Sequence, residues 1–175
     1  MHCSVNLSGR QLQEADFVQR LREILQVTGY AADSLVLEIT ESLLIDHDPR
    51  VLASLRELAD MGVRIALDDF GTGYSSLAYL KSFPVNSLKI DRTFISDVTG
   101  NPNDAAITTA IILMGHSMNL KVVAEGVETE SQLAFLKVLQ CNEVQGYFFS
   151  PPVPADRARE LLLGEHAPLP ARRAA

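Results

Sequence analysis

Apolar positions in this chain follow two rhythms that alternate from one end to the other. Short, nearly unbroken runs are the mark of strands covered on both faces. Between them lie stretches where apolar residues recur every three or four positions, the mark of one helix face. Residues 3–7 are the first strand, and Ser8 is placed to cap a helix with Leu12, Phe17, Leu21, Ile24 and Leu25 on its apolar side, ended by Gly29. Residues 35–40 are the second strand, followed by a helix that Pro49 opens, Leu52, Leu55 and Leu58 anchor, and Gly62 closes. The third strand spans 64–67, and a short helix through Leu77 and Leu80 stops before Pro84. Residues 87–90 are the fourth strand, followed by a helix over 105–118, apolar over much of its surface and therefore expected to be well buried. The fifth strand is 121–124, with a helix over 132–139, and the sixth is 143–145, with a last helix over 155–163. From Gly164 onward two prolines and two arginines read as a disordered tail, which leaves 1–163 as the folded part.

Polar residues break this pattern at one recurring place. Ile65-Ala66-Leu67 runs straight into Asp68 and Asp69, then into Phe70-Gly71-Thr72-Gly73-Tyr74, after which Ser75 or Ser76 is placed to cap a new helix. Adjacent carboxylates beside an apolar strand repel unless a cation neutralises them; an Asx-type turn with one aspartate in water is the plain alternative. The same event recurs with Asn6, with Glu38 and Glu41, with Lys89 and Asp91, with Glu125 and with Gln145, so that every strand supplies at least one polar group. Each has an ordinary reading: Glu38 pairing with an arginine, Glu41 capping a helix, Lys89 snorkelling outward, Gln145 tying down a loop. Together they match the layout in which ligand-bearing side chains converge at the C-terminal ends of barrel strands; in an open sheet they would spread along a line. The expected fold class is therefore α/β, a (β/α)8 barrel of TIM type. About six strand–helix units are in hand where a complete barrel has eight.

Composition narrows the chemistry. With 175 residues and 47% hydrophobic content the chain can bury a sizeable core. No apolar run approaches the roughly 20 residues of a membrane-spanning helix, and Met1-His2-Cys3 leads directly into a strand, with no signal peptide. A net charge of −7 argues against polymeric nucleic acid as partner, though not against a small phosphate ligand held through metal ions. Cys3 and Cys141 are too few for a zinc motif and read as buried free thiols in a reducing compartment. His2, His47, His116 and His166 show no pairing and are expected on surfaces. Gathering several carboxylates is costly unless cations neutralise them. Their all-oxygen character points to Mg2+ or Mn2+ and away from zinc.

The segments Ser4-Val5-Asn6-Leu7-Ser8, Leu37-Glu38-Ile39-Thr40-Glu41, Asp68 through Ser76, Leu88-Lys89-Ile90-Asp91, Val123 through Thr129 and Val144-Gln145-Gly146-Tyr147 resemble, in order, the motifs of the EAL domain. This is a family of bacterial phosphodiesterases that open cyclic di-GMP to linear pGpG. The resemblance implies two divalent metals, with Asn6, Glu38 and Asp68 on the first and Asp69 on the second. It implies Glu41 steadying the loop that holds Gly71 and Thr72, and Lys89 on the attacking water or the phosphate. Glu125 matches the general base or a metal ligand, and Gln145 the residue completing the water network. It further implies cyclic di-GMP as ligand, a bacterial cytoplasmic setting, and sensory or GGDEF-type domains in the full-length protein. The rival function is a non-catalytic cyclic di-GMP receptor or protein-interaction module. Two departures stand out: no Glu-Ala-Leu segment precedes Asn6, and Gln140 and Asn142 stand where the family usually has glycine and aspartate. Without two barrel units, 3–7 and 143–145 would be open strand edges. The expectation is then a homodimer or aggregate and weak hydrolysis by the chain alone.

Overall fold

The computed structural model of the chain describes residues 2–45, 48–73 and 80–163. Strands and helices alternate as the apolar rhythm predicts. They run β1 (Cys3–Asn6), α1 (Gly9–Gln13), α2 (Phe17–Thr28), β2 (Leu35–Thr40), α3 (Glu41–Ile45), α4 (Pro49–Asp60), β3 (Arg64–Phe70) and β4 (Ser87–Ile90). There follow α5 (Arg92–Ser96), α6 (Pro102–Ser117), β5 (Lys121–Ala124), α7 (Glu130–Val138), β6 (Glu143–Val144) and α8 (Ala155–Leu163). The strands lie in the order β1-β2-β3-β4-β5-β6, the arrangement of successive parallel strand–helix units, and the fold class is the α/β one expected. β1 pairs parallel with β2, β2 with β3, and β5 with β6.

The chain divides into two compact units, Met1–Lys89 with Met114–Val122, and Ile90–Leu113 with Val123–Ala175. In the first, Leu12, Ile39, Leu55, Leu58, Ile65, Leu67 and Leu88 are fully buried. They come from helices and strands alike, as sheet-and-helix layering requires. In the second, Ile90, Ile95, Ile112 and Leu136 play the same part.

Local chemistry sets the helix boundaries. Ser8 and Gln11 form a reciprocal capping box at the start of α1. Asp48 accepts a hydrogen bond from the Arg50 amide ahead of Pro49, the first residue of α4. The Arg50 guanidinium beside Asp48 also holds that carboxyl below its usual range. Gly29 ends α2 in the left-handed region at φ 65°.

Several expectations are corrected. The helix expected from Ser8 to Gly29 is two helices, broken where Glu14 turns to an extended backbone and the Phe17 amide bonds to the Glu14 carbonyl. Leu12 and Val18 are both buried. Six positions apart, they would point about 120° away from each other on one continuous helix, so the break lets both reach the core. The third strand does not stop at Leu67 but continues through Phe70, because Phe70 is itself buried and anchors the extension. α6 is buried along one side only, with Ile107 and Leu113 exposed. Cys3 is exposed, since all four residues of β1 are; Cys141 is half-buried, both thiols are free, and burial pushes the Cys141 thiol up from its ordinary value. His2 is exposed and His116 half-buried. The expected cap at Ser75 or Ser76, most of the short helix through Leu77 and Leu80, His47, His166 and the tail from Gly164 lie outside the described residues.

Two glycines differ in what a side chain would meet: Gly29 has only a conformational need, whereas Gly146, at φ 156°, has a steric one as well. Gly29 has φ 65° and open space around the position of a Cβ, whereas a Cβ on Gly146 would overlap the backbone N, C and O of Val127. Gly29→Ala is expected to cost about 1 kcal/mol through its left-handed backbone alone. Gly146→Ala is expected to cost about 3 kcal/mol, since backbone cannot step aside as a side-chain end does. Thermal unfolding of the two variants checks the order; equal losses would show that Val127 yields.

Candidate active site

Strand register delivers the first group of polar side chains. Asn6 lies opposite Glu38 across β1 and β2, and Thr40 lies opposite Asp68 across β2 and β3. On β4, whose four residues are all buried, the Lys89 side chain meets one carboxylate from β2 and one from β3. Its Nζ donates to Glu38 Oε2 at 2.6 Å and stands 2.9 Å from Asp68 Oδ1. The three side chains are 7%, 11% and 15% exposed. The Lys89–Asp68 contact is an ion pair by distance but lacks hydrogen-bond alignment, so Asp68 Oδ1 is buried without a hydrogen-bond partner. Neither the outward-snorkelling reading of Lys89 nor an arginine partner for Glu38 holds: the lysine turns inward because two carboxylates await it.

The loop after β3 is held at its start by a second carboxylate. Glu41, 3% exposed, accepts hydrogen bonds through Oε2 from the Gly71 amide at 3.0 Å and the Gly73 amide at 3.3 Å. A Cβ on Gly73 would sit 3.1 Å from Glu41 Oε1, so only glycine lets the chain pass this close. Thr72 adds a turn, its hydroxyl donating to the Asp69 carbonyl at 2.8 Å. Asp69 is exposed and has φ 54°, a left-handed conformation that costs an aspartate about 1–2 kcal/mol. Glu41 is thus both the first residue of α3 and the clamp on the loop.

In the second unit, Gln145 Nε2 donates to Glu125 Oε1 at 2.7 Å. Backbone bonds fix both residues: the Glu125 amide donates to the Ile90 carbonyl, the Gln145 amide to the Ala124 carbonyl, and the Val127 amide to the Gln145 carbonyl. Asp91 caps α5, its Oδ1 accepting from the Thr93 amide.

The sequence-predicted residues therefore fall into three contacts: Lys89 with Glu38 and Asp68, Glu41 with the Gly71–Gly73 turn, and Glu125 with Gln145. Asn6 joins the first by register. Two contributors were missed: the Gly73 amide, and Gln132, whose side chain binds the backbone beyond Glu125. The Thr129-x-x-Gln132 spacing carried a signal for the second, as a capping box.

For a divalent cation, among the described residues no three Asp, Glu, His or Cys side chains gather closely enough by themselves. The donors at hand are Glu38, Asp68 and the Asn6 amide. Their oxygens suit a hard cation, and the buried Asp68 Oδ1 has a lone pair to offer. The residues fit Mg2+ or Mn2+ in donor chemistry. Meanwhile the Lys89 charge stabilises the carboxylate pair. Lys89→Met is expected to cost about 3–5 kcal/mol of stability, the range for breaking a buried pair. Adding Asp68→Asn should recover part of that loss. Urea unfolding measures both; a double variant as unstable as the single one would show that charge is not the cause.

Comparison with known proteins agrees with this arrangement of motifs. The family model of the EAL domain matches residues 1–152. The cyclic di-GMP phosphodiesterase NbdA of Pseudomonas aeruginosa is 45% identical over 162 residues, covering 93% of this chain and 21% of NbdA. The solved PaMucR phosphodiesterase in complex with c-di-GMP matches with a TM-score of 0.85 at 46% identity, over 90% of this chain and 64% of that one. The manganese and cyclic di-GMP complex of Klebsiella pneumoniae BlrP1 matches with a TM-score of 0.80 at 30% identity, over 86% of this chain and 39% of that one. The chain spans about a fifth of the length of the curated relatives it matches, 20% to 22% for three of them. On the family match over residues 1–152, this chain belongs to the EAL domain family.

Proposed function

We propose that residues 1–163 act as an EAL-type phosphodiesterase domain that hydrolyses cyclic di-GMP to linear pGpG with two divalent metals. The observation that carries the reading is the buried Lys89 ammonium held against Glu38 and Asp68 at the ends of consecutive strands. A fold alone has no use for such a costly trio, whereas phosphoryl chemistry needs fixed positive charge beside oxygen donors. NbdA, named a cyclic di-GMP phosphodiesterase, and PaMucR, solved with that nucleotide, support the substrate.

In this reading Asn6, Glu38 and Asp68 hold the first metal and Asp69 the second. Bound Mg2+ or Mn2+ would supply a nucleophilic water at neutral pH and stabilise charge on the phosphoryl oxygens. Lys89 lays its ammonium on the phosphate, where negative charge grows as the attacking oxygen bonds to phosphorus. Glu125, with Oε1 held by the Gln145 amide, takes the proton of that water or serves as a further metal ligand. The bond from phosphorus to the 3′ oxygen breaks, that oxygen takes up a proton from solvent water, and the ring opens. Glu41 keeps the Asp68–Gly73 segment in place through the Gly71 and Gly73 amides.

The relatives suggest the wider setting. MucR of Pseudomonas aeruginosa is named a bifunctional diguanylate cyclase/cyclic di-GMP phosphodiesterase, in keeping with a GGDEF-type or sensory neighbour for this domain. No helix among the described residues is long and apolar enough to cross a membrane, and the proposal places the domain in the bacterial cytoplasm. Self-pairing as a homodimer belongs to the same proposal; exposed Val5 on β1 is consistent with an accessible edge.

The test is hydrolysis of cyclic di-GMP with Mg2+ or Mn2+, read by chromatography of the product. Lys89→Ala and Glu125→Gln should each lower kcat by about 10²–10³, the scale for removing an electrostatic catalytic group. Full turnover by either variant would refute its role, and binding without turnover by the parent chain would favour a receptor. Independently of activity, saturating Mn2+ should raise the melting temperature and Asp68→Asn should blunt the rise. An unchanged melting curve would count against the metal site.

A further inference from the structure

Gln132 is the third residue of α7 and 5% exposed, and it makes more bonds than a helix cap requires. A reciprocal cap needs one acceptor on the side chain at this position, and glutamate serves as well as glutamine. Here Oε1 accepts from two amides, Thr129 at 2.9 Å and Glu128 at 2.8 Å. Nε2 donates to the Ser96 carbonyl at 3.0 Å, at the far end of α5 and 36 residues away in sequence. Glutamate could not make that last bond, because an ionised carboxylate only accepts. The amide nitrogen thus ties the segment after Glu125 to α5.

That tie has mechanical work because packing does not do it. Arg92, Thr93, Ser96, Gly126, Glu128 and Gln132 line a depression of about 340 Å³ between α5 and the 125–129 segment. Close-packed elements would hold each other by van der Waals contact; elements across a cleft need discrete anchors. There are two. Gly126, at φ 72°, approaches Arg92 so closely that a Cβ would lie 2.6 Å from Arg92 Cβ, and Gln132 spans the other side to Ser96. Between them the Val127 amide bonds to the Gln145 carbonyl and the Phe148 amide to the Val127 carbonyl. A shift of the 125–129 segment would therefore move Gln145 together with Glu125.

We infer that Gln132 is a positioning residue, which sets the Glu125–Gln145 pair by tying the segment beyond Glu125 to the Ser96 carbonyl of α5. The inference rests on the proposed role of Glu125 in hydrolysis. Two variants of the full chain separate the bonds: Gln132→Glu keeps both acceptor bonds and sets a carboxylate against the Ser96 carbonyl, and Gln132→Met removes every bond. Both should shift the side-chain NH2 resonances of Gln145 in two-dimensional NMR. Both should also lower kcat about tenfold or more with KM little changed, the effect of misplacing a reacting group. Adding Glu125→Gln should cost nothing further, since one residue acts through the other. Unmoved Gln145 resonances in folded Gln132→Glu would overturn the inference, as would losses that multiply in the double variant. If Glu125→Gln alone leaves turnover intact, the proposed role of Glu125 in hydrolysis fails instead, while the NMR result still decides whether Gln132 sets the pair.

Discussion

Lys89 brings a full positive charge into a strand with no exposed residue, and the surrounding structure is arranged to meet it. Removing an ammonium from water costs several kcal/mol, and so does burying each carboxylate. The trio is tolerable because Glu38 and Asp68 come within 2.6 and 2.9 Å of the same nitrogen. That requirement also constrains the strands. Side chains alternate across a strand, so a slip of one residue between β2 and β3 would turn Asp68 away from the face where Lys89 waits. The observed register, Thr40 opposite Asp68, is the one that keeps the charges together. A pair of carboxylates left with one ammonium remains a net acceptor of positive charge, the condition under which a divalent cation binds.

The loop that follows β3 shows a different use of a buried carboxylate. Glu41 binds backbone amides, in effect capping a turn as a side chain caps a helix. Bonds to an ionised acceptor are stronger than neutral ones and leave little freedom for the amides that make them. Gly71 and Gly73 fit because one has φ 99° and the other allows no side chain beside Glu41. The non-glycine residue with left-handed geometry just before them, Asp69, carries backbone strain that Thr72 and the Glu41 clamp hold in place.

Glu125 and Gln145 rely on hydrogen bonds of a third kind. A primary amide both donates and accepts: Gln145 donates to a carboxylate, and Gln132 uses both capacities, accepting from two backbone amides while donating to a carbonyl. Neither residue changes charge with pH, so the geometry they impose on Glu125 does not depend on their own protonation.

The sequence by itself determined the alternation of strand and helix, and with it the α/β class, because apolar spacing, the cap at Ser8, Pro49 at a helix start and Gly29 and Gly62 at helix ends are local properties of neighbouring residues. It also located the polar residues at strand ends, since a carboxylate interrupting an apolar run is visible without any fold. The break between α1 and α2 was not legible: Leu12 and Phe17 fit one helical pattern, and only the core demands that Leu12 and Val18 both face it. Nor was the exposure of Cys3, because a short apolar strand reads as buried whether or not anything covers it. Which cation meets Glu38, and that Lys89 points inward, depends on strands 51 and 21 residues apart being brought side by side in one register. The role of Gln132 was half legible, as a cap within its own helix. Its bond to Ser96 came only from tertiary structure, since a hydrogen-bond partner distant in sequence leaves no trace in local spacing.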